Sequence, residues 1–284
     1  MSCRLPQLTS RRGFLGRSGA AVAASLLATG WGISKARAVS SPRTLALIGD
    51  RYHNADFIRV ALARLFKTLD LPVEFTINYQ DISAQLLSSY QLFICFRDGM
   101  IWPIGYLGPD AYPYTGELEN SEDWPEARPE GWIKDEQGRA IRDFVQAGNG
   151  FYAYHNSSHI SLYSKAYRDV MGGAYIGHPP LRPFKISVVN REHPITRGMS
   201  DFVVTDEQHY VIYDKDPAKV ILRSENLDGL NYENHGTRAI AGWAYDFGKG
   251  RVVFTAVGHT LHAMWQTEYF KIQQNAVRWL LKMV

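Results

Sequence analysis

The sequence has 284 residues, 45% of them hydrophobic and 21% charged, which is enough apolar chain for one large domain and argues against intrinsic disorder. The formal net charge is +3, but Arg4, Arg11, Arg12, Arg17, Lys35 and Arg37 all lie in the first 38 residues, where there is no Asp or Glu. Without that segment 25 basic residues stand against 28 acidic ones, a net charge of −3. Such a chain lacks the basic footprint that neutralises a phosphate backbone, so nucleic acid is not expected as a partner.

The first 38 residues read as an export signal. Ser10-Arg11-Arg12-Gly13-Phe14-Leu15 places a twin arginine before an uncharged stretch from Ser18 to Ser34, and Ala36-Arg37-Ala38 follows as a cleavage site. The stretch is broken by Gly30 and Gly32 and is shorter than the roughly 20 apolar residues of a membrane span. The expectation is therefore a periplasmic or secreted protein, residues 39–284, without stable membrane insertion. Of the two cysteines, Cys3 lies in the leader, so the processed chain would keep Cys95 alone. That excludes an internal disulfide and a cysteine-based zinc site.

From residue 43 onwards short β-rich runs alternate with helical ones, the pattern of a parallel sheet covered by helices. The expected strands are Thr44 to Ile48, Val73 to Ile77, Leu92 to Phe96 and Phe151 to Tyr154. Ala55 to Leu69 is a helix that gathers Phe57, Val60, Ala61, Leu65 and Leu69 on one face. Glu136 to Ala147 is a second helix, gathering Ile141, Phe144 and Val145 and ending at Gly148. The later strands are Phe184 to Val189, Phe202 to Thr205, Val220 to Leu222, Ala239 to Tyr245 and Arg251 to Ala256, before an amphipathic helix from about Glu268 to Leu281. One region stands apart. Gly99 to Lys134 carries Pro103, Pro109, Pro113, Pro125 and Pro129 and a middle rich in acids (Glu117, Glu119, Glu122, Asp123 and Glu126). It reads as a long ordered loop whose aromatic part, Ile101 to Tyr114, is a lid, the remainder being a solvated excursion.

Open α/β sheets bind ligands beyond the carboxyl ends of their strands. Four such exits are polar here: Gly49-Asp50-Arg51-Tyr52-His53, Arg97-Asp98-Gly99, His155-Asn156-Ser157 and Gly258-His259-Thr260. One histidine after a strand is usually structural; three in equivalent places point to a site. We expect His53, His155 and His259 to meet at this edge as nitrogen ligands of a divalent, zinc-like ion. Glu207, from Thr205-Asp206-Glu207-Gln208-His209-Tyr210, is the expected proton carrier, with Asp98 in reserve and His178 reaching over the site. For any one histidine, hydrogen bonding to its neighbours is the plainer alternative. The spacing of His155 and His159 and that of His259 and His262 are weak signals, His193 before Pro194 looks structural, and Cys95 inside its strand reads as a buried, inert thiol. No P-loop or G-x-S-x-G elbow occurs, and Gly148-Asn149-Gly150 precedes a strand where a dinucleotide fingerprint would follow one.

The strings GNGFYAYHNSS, GGAYIGHPP, HPIT, DEQHY and AGWAYDFGKGRVVFTAVGHT resemble the ThuA-like family, named for trehalose utilisation, over nearly all of residues 43–284. The resemblance implies a flavodoxin-like α/β sandwich related in fold to class I glutamine amidotransferases, with a parallel central sheet and helices on both faces. In those enzymes a nucleophilic cysteine occupies the turn after a central strand. Here that turn holds His155, which speaks against thiol-dependent glutamine hydrolysis, while His259 matches the place of their catalytic histidine. The resemblance further implies a carbohydrate-linked role, though no mechanism. With the histidines at the strand exits, the expectation is an enzyme using metal-assisted hydrolysis or a related modification of a small sugar or glycoside, or alternatively a non-catalytic carbohydrate-binding module.

Overall fold

A computed structural model describes residues 41–102 and 129–284. The twin-arginine leader, the acidic middle of the proline-rich loop and the expected lid beyond Trp102 lie outside the described residues. In chain order the first half comprises β1 (Thr44–Ile48), α1 (Ala55–Leu69), β2 (Val73–Thr76), α2 (Ala84–Leu87), β3 (Leu92–Phe96), the two-residue β4 (Met100–Ile101) and β5 (Glu130–Gly131), α3 (Asp135–Gln146) and β6 (Gly150–Tyr154). A 3-10 helix (His155–Leu162) then leads to α4 (Lys165–Met171), β7 (Gly173–Gly177), β8 (Arg182–Val188), β9 (Phe202–Asp206), β10 (Tyr210–Tyr213), β11 (Val220–Asn226), β12 (Arg238–Phe247), β13 (Gly250–Thr255), α5 (Leu261–Met264) and α6 (Thr267–Leu280).

Among the described residues nine strands form one sheet in the order β2-β1-β3-β6-β13-β12-β11-β8-β9. The first five are mutually parallel, and their chain order is that of flavodoxin-like sheets. The other four alternate in direction. The expected parallel central sheet is present, and four antiparallel strands extend it on one side. The reason is connection length: β12 and β13 are joined by Gly248 and Lys249 alone, and a parallel pair needs a crossover of a dozen or more residues.

The antiparallel half is also curved. Four strand spacings of about 4.8 Å would put β9 roughly 19 Å from β13 in a flat sheet. Yet Asp206, ending β9, accepts hydrogen bonds from the N–H groups of Gly258 and His259, just past β13. The sheet therefore curls and the loops close the remaining gap. Register shifts between Val220, Leu222 and Arg223, where β11 meets β12, mark a bend.

Helices α1, α5 and α6 pack on one another, α3 packs on both α2 and α4, and both groups reach the parallel strands, so helices cover both faces of that half. Between them Leu47, Phe93, Phe151, Tyr152 and Phe254 are fully buried, each contributing roughly 1.5–3 kcal/mol by leaving water. Helix α1 starts where the Asn54 side chain accepts from the Asp56 N–H and stops at Asp70 in the left-handed region. Its buried face is Ile58, Ala61, Leu62, Leu65 and Phe66, whereas Val60 is exposed. The expected face is therefore rotated, because Ile58, Leu62 and Phe66 form a second apolar row that pattern matching passed over. Cys95 is fully buried, and burial pushes its thiol up to about 12, which makes it inert. Among the described residues no helix is long and apolar enough to cross a membrane.

Candidate functional site

Parallel strands all end on the same edge, so the exits of β1, β3, β6 and β13, neighbours in the sheet, lie side by side. They carry His53, Asp98, His155 and His259. Backbone geometry makes the close approach feasible. Gly49 leaves β1 at φ 83°, and a Cβ there would stand 2.6 Å from that of Ala55. His155 takes φ 45° directly after β6, and at Gly258 a Cβ would stand 2.8 Å from that of His155. The histidine turn and the β13 exit therefore touch only because residue 258 has no side chain.

The expected trio does converge. His53 Nε2 lies 3.1 Å from His259 Nδ1, and the His53 ring centroid is 5.0 Å from that of His155. Glu207 sits among them: its Oε2 is 3.0 Å from His259 Nδ1, 3.4 Å from His155 Nε2, 3.5 Å from His209 Nε2 and 3.6 Å from His178 Nε2. Donor atoms of His53, His155, Glu207 and His259 all lie within 4.8 Å of one another, as do those of His178, Glu207 and His209. Asp98 lines the same cavity, of about 320 Å³, beside Tyr52, Met100, Asn156, His159 and Tyr175. It stands with His159 Nδ1, 3.3 Å away, apart from the imidazole cluster.

The tautomers follow from the partners. His53 Nδ1 faces the Asp50 carboxylate at 2.9 Å, His155 Nδ1 the Ala256 carbonyl at 2.6 Å and His178 Nδ1 the Pro179 carbonyl at 3.0 Å. Each of these oxygens only accepts, so with Nδ1 as the donor each ring turns Nε2 into the cluster; at His53 the Asn156 amide nitrogen also lies 2.8 Å from Nδ1. Asp50 is itself held by the N–H groups of Tyr52, His53 and Asp98 and by the Asn156 amide. Burial pushes the Asp50 carboxyl up, but the His53 ring and the backbone donors outweigh it and hold the pKa below the ordinary value.

Burial pushes fully buried His155 down to about 4 and His209 well below its ordinary value. For His259 burial also lowers the pKa, yet the Glu207 carboxylate overcomes this and raises it. Glu207 is raised by burial and then brought far below the carboxylate range by the surrounding imidazoles. At neutral pH His155 is uncharged and gives its one N–H to Ala256. Its Nε2 and Glu207 Oε2 consequently face each other as two electron-pair donors 3.4 Å apart.

The segment from Asp206 to His209 is the part the sequence reading used least. Asp206, fully buried and pushed up to about 7 chiefly by burial, clamps the β13 exit. Gln208 donates to Ser224 Oγ and to the Thr237 carbonyl. An extended segment points alternate residues to opposite sides, so these two anchors leave Glu207 and His209 facing the cavity. His209 was given no role, nor was Asp50; His159 was set aside as a weak pair with His155, and Asp206 was passed over in favour of Glu207. The alternation of anchor and donor in Asp206-Glu207-Gln208-His209 was the available signal for His209.

Known proteins place this geometry in context. No curated protein matches the chain by sequence. Among solved structures the fold is similar to a ThuA-like protein from Parabacteroides merdae (TM-score 0.63, 16% identity, covering 86% of this chain and 91% of that one). It is also similar to a ThuA-like protein from Bacteroides uniformis (TM-score 0.58, 16% identity, 88% and 95%). A β-galactosidase from Rahnella sp. R3 matches at TM-score 0.53 and 13% identity over 87% of this chain but 32% of its own. The ThuA family model, described as trehalose utilisation, matches residues 124–280, a span that includes His155, His178, Glu207, His209 and His259, and the chain accordingly belongs to the ThuA family.

Proposed function

We propose that this protein is a metal-dependent enzyme acting on a small sugar or glycoside, with a divalent ion held by His53, His155, His259 and Glu207. The observation that carries this reading is the turned-in Nε2 lone pairs of His53 and His155 beside a carboxylate, each ring locked by an oxygen behind it. Such a backing oxygen behind each imidazole is the usual support of a metal-binding histidine. Ligands about 2.0–2.1 Å from a tetrahedral ion stand about 3.3 Å from one another; three donor pairs of the set are 3.0, 3.1 and 3.4 Å apart, and all four donors lie within 4.8 Å of one another. His155 Nε2 has no hydrogen-bond partner although it is fully buried, which an ion would remedy.

A bound ion of this kind supplies a Lewis acid for a sugar oxygen, or a water whose pKa falls to about 7. Glu207, read from sequence as the proton carrier, lies within ligand distance of four imidazoles, and we assign it to the ion. The proton then falls to Asp98 across the cavity, with His159 at 3.3 Å to hold or accept it. Tyr52 and Tyr175 in the wall offer a sugar an apolar face with a polar tip. The leader supports action in the periplasm or outside the cell. Retention in the cytoplasm after Arg11→Lys with Arg12→Lys would support that route, and normal export of the double variant would contradict it.

The function is tested by elemental analysis of the purified chain, followed by a screen of glycosides for turnover with and without chelator. Bound metal, chelator-sensitive turnover and a lowered unfolding midpoint after chelation are expected, since an ion at 100 times its Kd stabilises the fold by about 2.7 kcal/mol. Sugar binding without turnover would support the carbohydrate-binding module instead.

A further inference from the structure

We infer that the site holds a second divalent cation, bound by His178, His209 and Glu207, so that Glu207 bridges two ions. This rests on the reading that the first set binds one. The inference starts from His209, which is 2% exposed and has no hydrogen-bond partner at either ring nitrogen. A buried imidazole with two idle nitrogens is rare, because buried polar groups almost always find partners. Nothing in its stacking on His155 supplies one. Its Nε2 is aimed at Glu207 Oε2, 3.5 Å away.

His178 completes the set. Its Nδ1 donates to the Pro179 carbonyl, which leaves Nε2 bare and 3.6 Å from the same carboxylate oxygen. This is the arrangement seen behind His53 and His155, repeated on a residue just past β7, which pairs with β10 in a separate two-stranded sheet. Donor atoms of the second set lie within 4.8 Å of one another, with Glu207 common to both sets.

The spacing of the two positions follows from the rings. His155 and His209 stack with centroids 3.9 Å apart and planes 26° from parallel. An ion bound through an imidazole lies near that ring's plane, so ions on these two rings stand about one stacking distance apart. Paired catalytic ions are about 3.5–4 Å apart. Tyr175 of the cavity wall stands beside the second position, its ring 5.3 Å from that of His209. The ligand that suits two adjacent cations is a pair of neighbouring oxygens, which a sugar's vicinal diol provides.

The test is a metal count on the untagged full chain, loaded with Zn2+, desalted and measured by mass spectrometry, with anomalous diffraction to locate the ions. Two zinc ions per chain are expected, falling to one in His209→Ala and in His178→Ala. The second variant guards against misfolding, because the His178 side chain is 31% exposed. One ion in the wild type, lost in His155→Ala but kept in both other variants, would overturn the second position while leaving the mononuclear site intact. A full count of two in both His209→Ala and His178→Ala would overturn it as well, and no bound ion would overturn both readings.

Discussion

The two halves of the sheet deliver their residues to the site by different physical routes. In the parallel half, β1, β3, β6 and β13 all end on one edge, so a residue that follows such a strand is brought there by the fold itself. In the antiparallel half, strands point both ways and no such rule applies. Glu207 and His209 arrive because the sheet curls and Asp206 clamps the end of β9 to the β13 exit. One half of the site is thus set by strand direction and the other by a single buried carboxylate.

That contrast can be broken by substitution. The largest effect is expected for His155→Ala, which removes a donor at the centre of the parallel half: metal content should be lost and turnover should fall roughly 100-fold or more, since supporting residues alone are worth 10–100-fold. Unchanged metal and turnover would make the cluster a hydrogen-bonded core. Next come the supports. Asp50→Asn should weaken metal affinity by roughly 10–100-fold by loosening the His53 tautomer. Asp206→Ala should weaken it similarly, with Glu207 and His209 displaced and His53 and His155 unmoved in a crystal structure. If Asp206→Ala leaves Glu207 in place, the clamp is not what delivers it.

The smallest effect lies away from the site. His193 packs on Trp279, accepts the Ile195 N–H at Nδ1 and is pushed down to about 4, first by burial and then by Lys219 and Arg251, against the opposing pull of Asp246. The unfolded imidazole, near 6.5, binds a proton that the folded one refuses. The stability this residue contributes is therefore complete above about pH 6.5 and is lost as pH falls towards 4. His193→Gln should flatten the stability profile across that window when unfolding is followed in denaturant, and a profile of unchanged slope would assign the acid sensitivity elsewhere.

What the sequence disclosed follows the same division. Helix α1, capped by Asn54, was legible to its exact ends, although its buried face was not, since two apolar rows compete along it. The strands of the parallel half were legible as apolar runs buried on both sides. His53, His155 and His259 came with them, since a position after a strand is a position in space. Short elements were not legible: α5 has four residues, and β7, Gly-Ala-Tyr-Ile-Gly, carries two glycines that read as loop. The direction of β12, β11, β8 and β9 was hidden because pairing partners are not written in local patterning. His209 was missed for that reason too, as its value depends on a curl in the sheet that no window of sequence contains.

The most direct measurement is a crystal structure of the zinc-loaded protein with data collected across the zinc edge. The expected result is an anomalous peak about 2.0–2.2 Å from nitrogens of His53, His155 and His259 and from Glu207. Ordered water in that position, with no peak after zinc loading, would contradict a metal centre and leave the imidazoles as a hydrogen-bonded cluster.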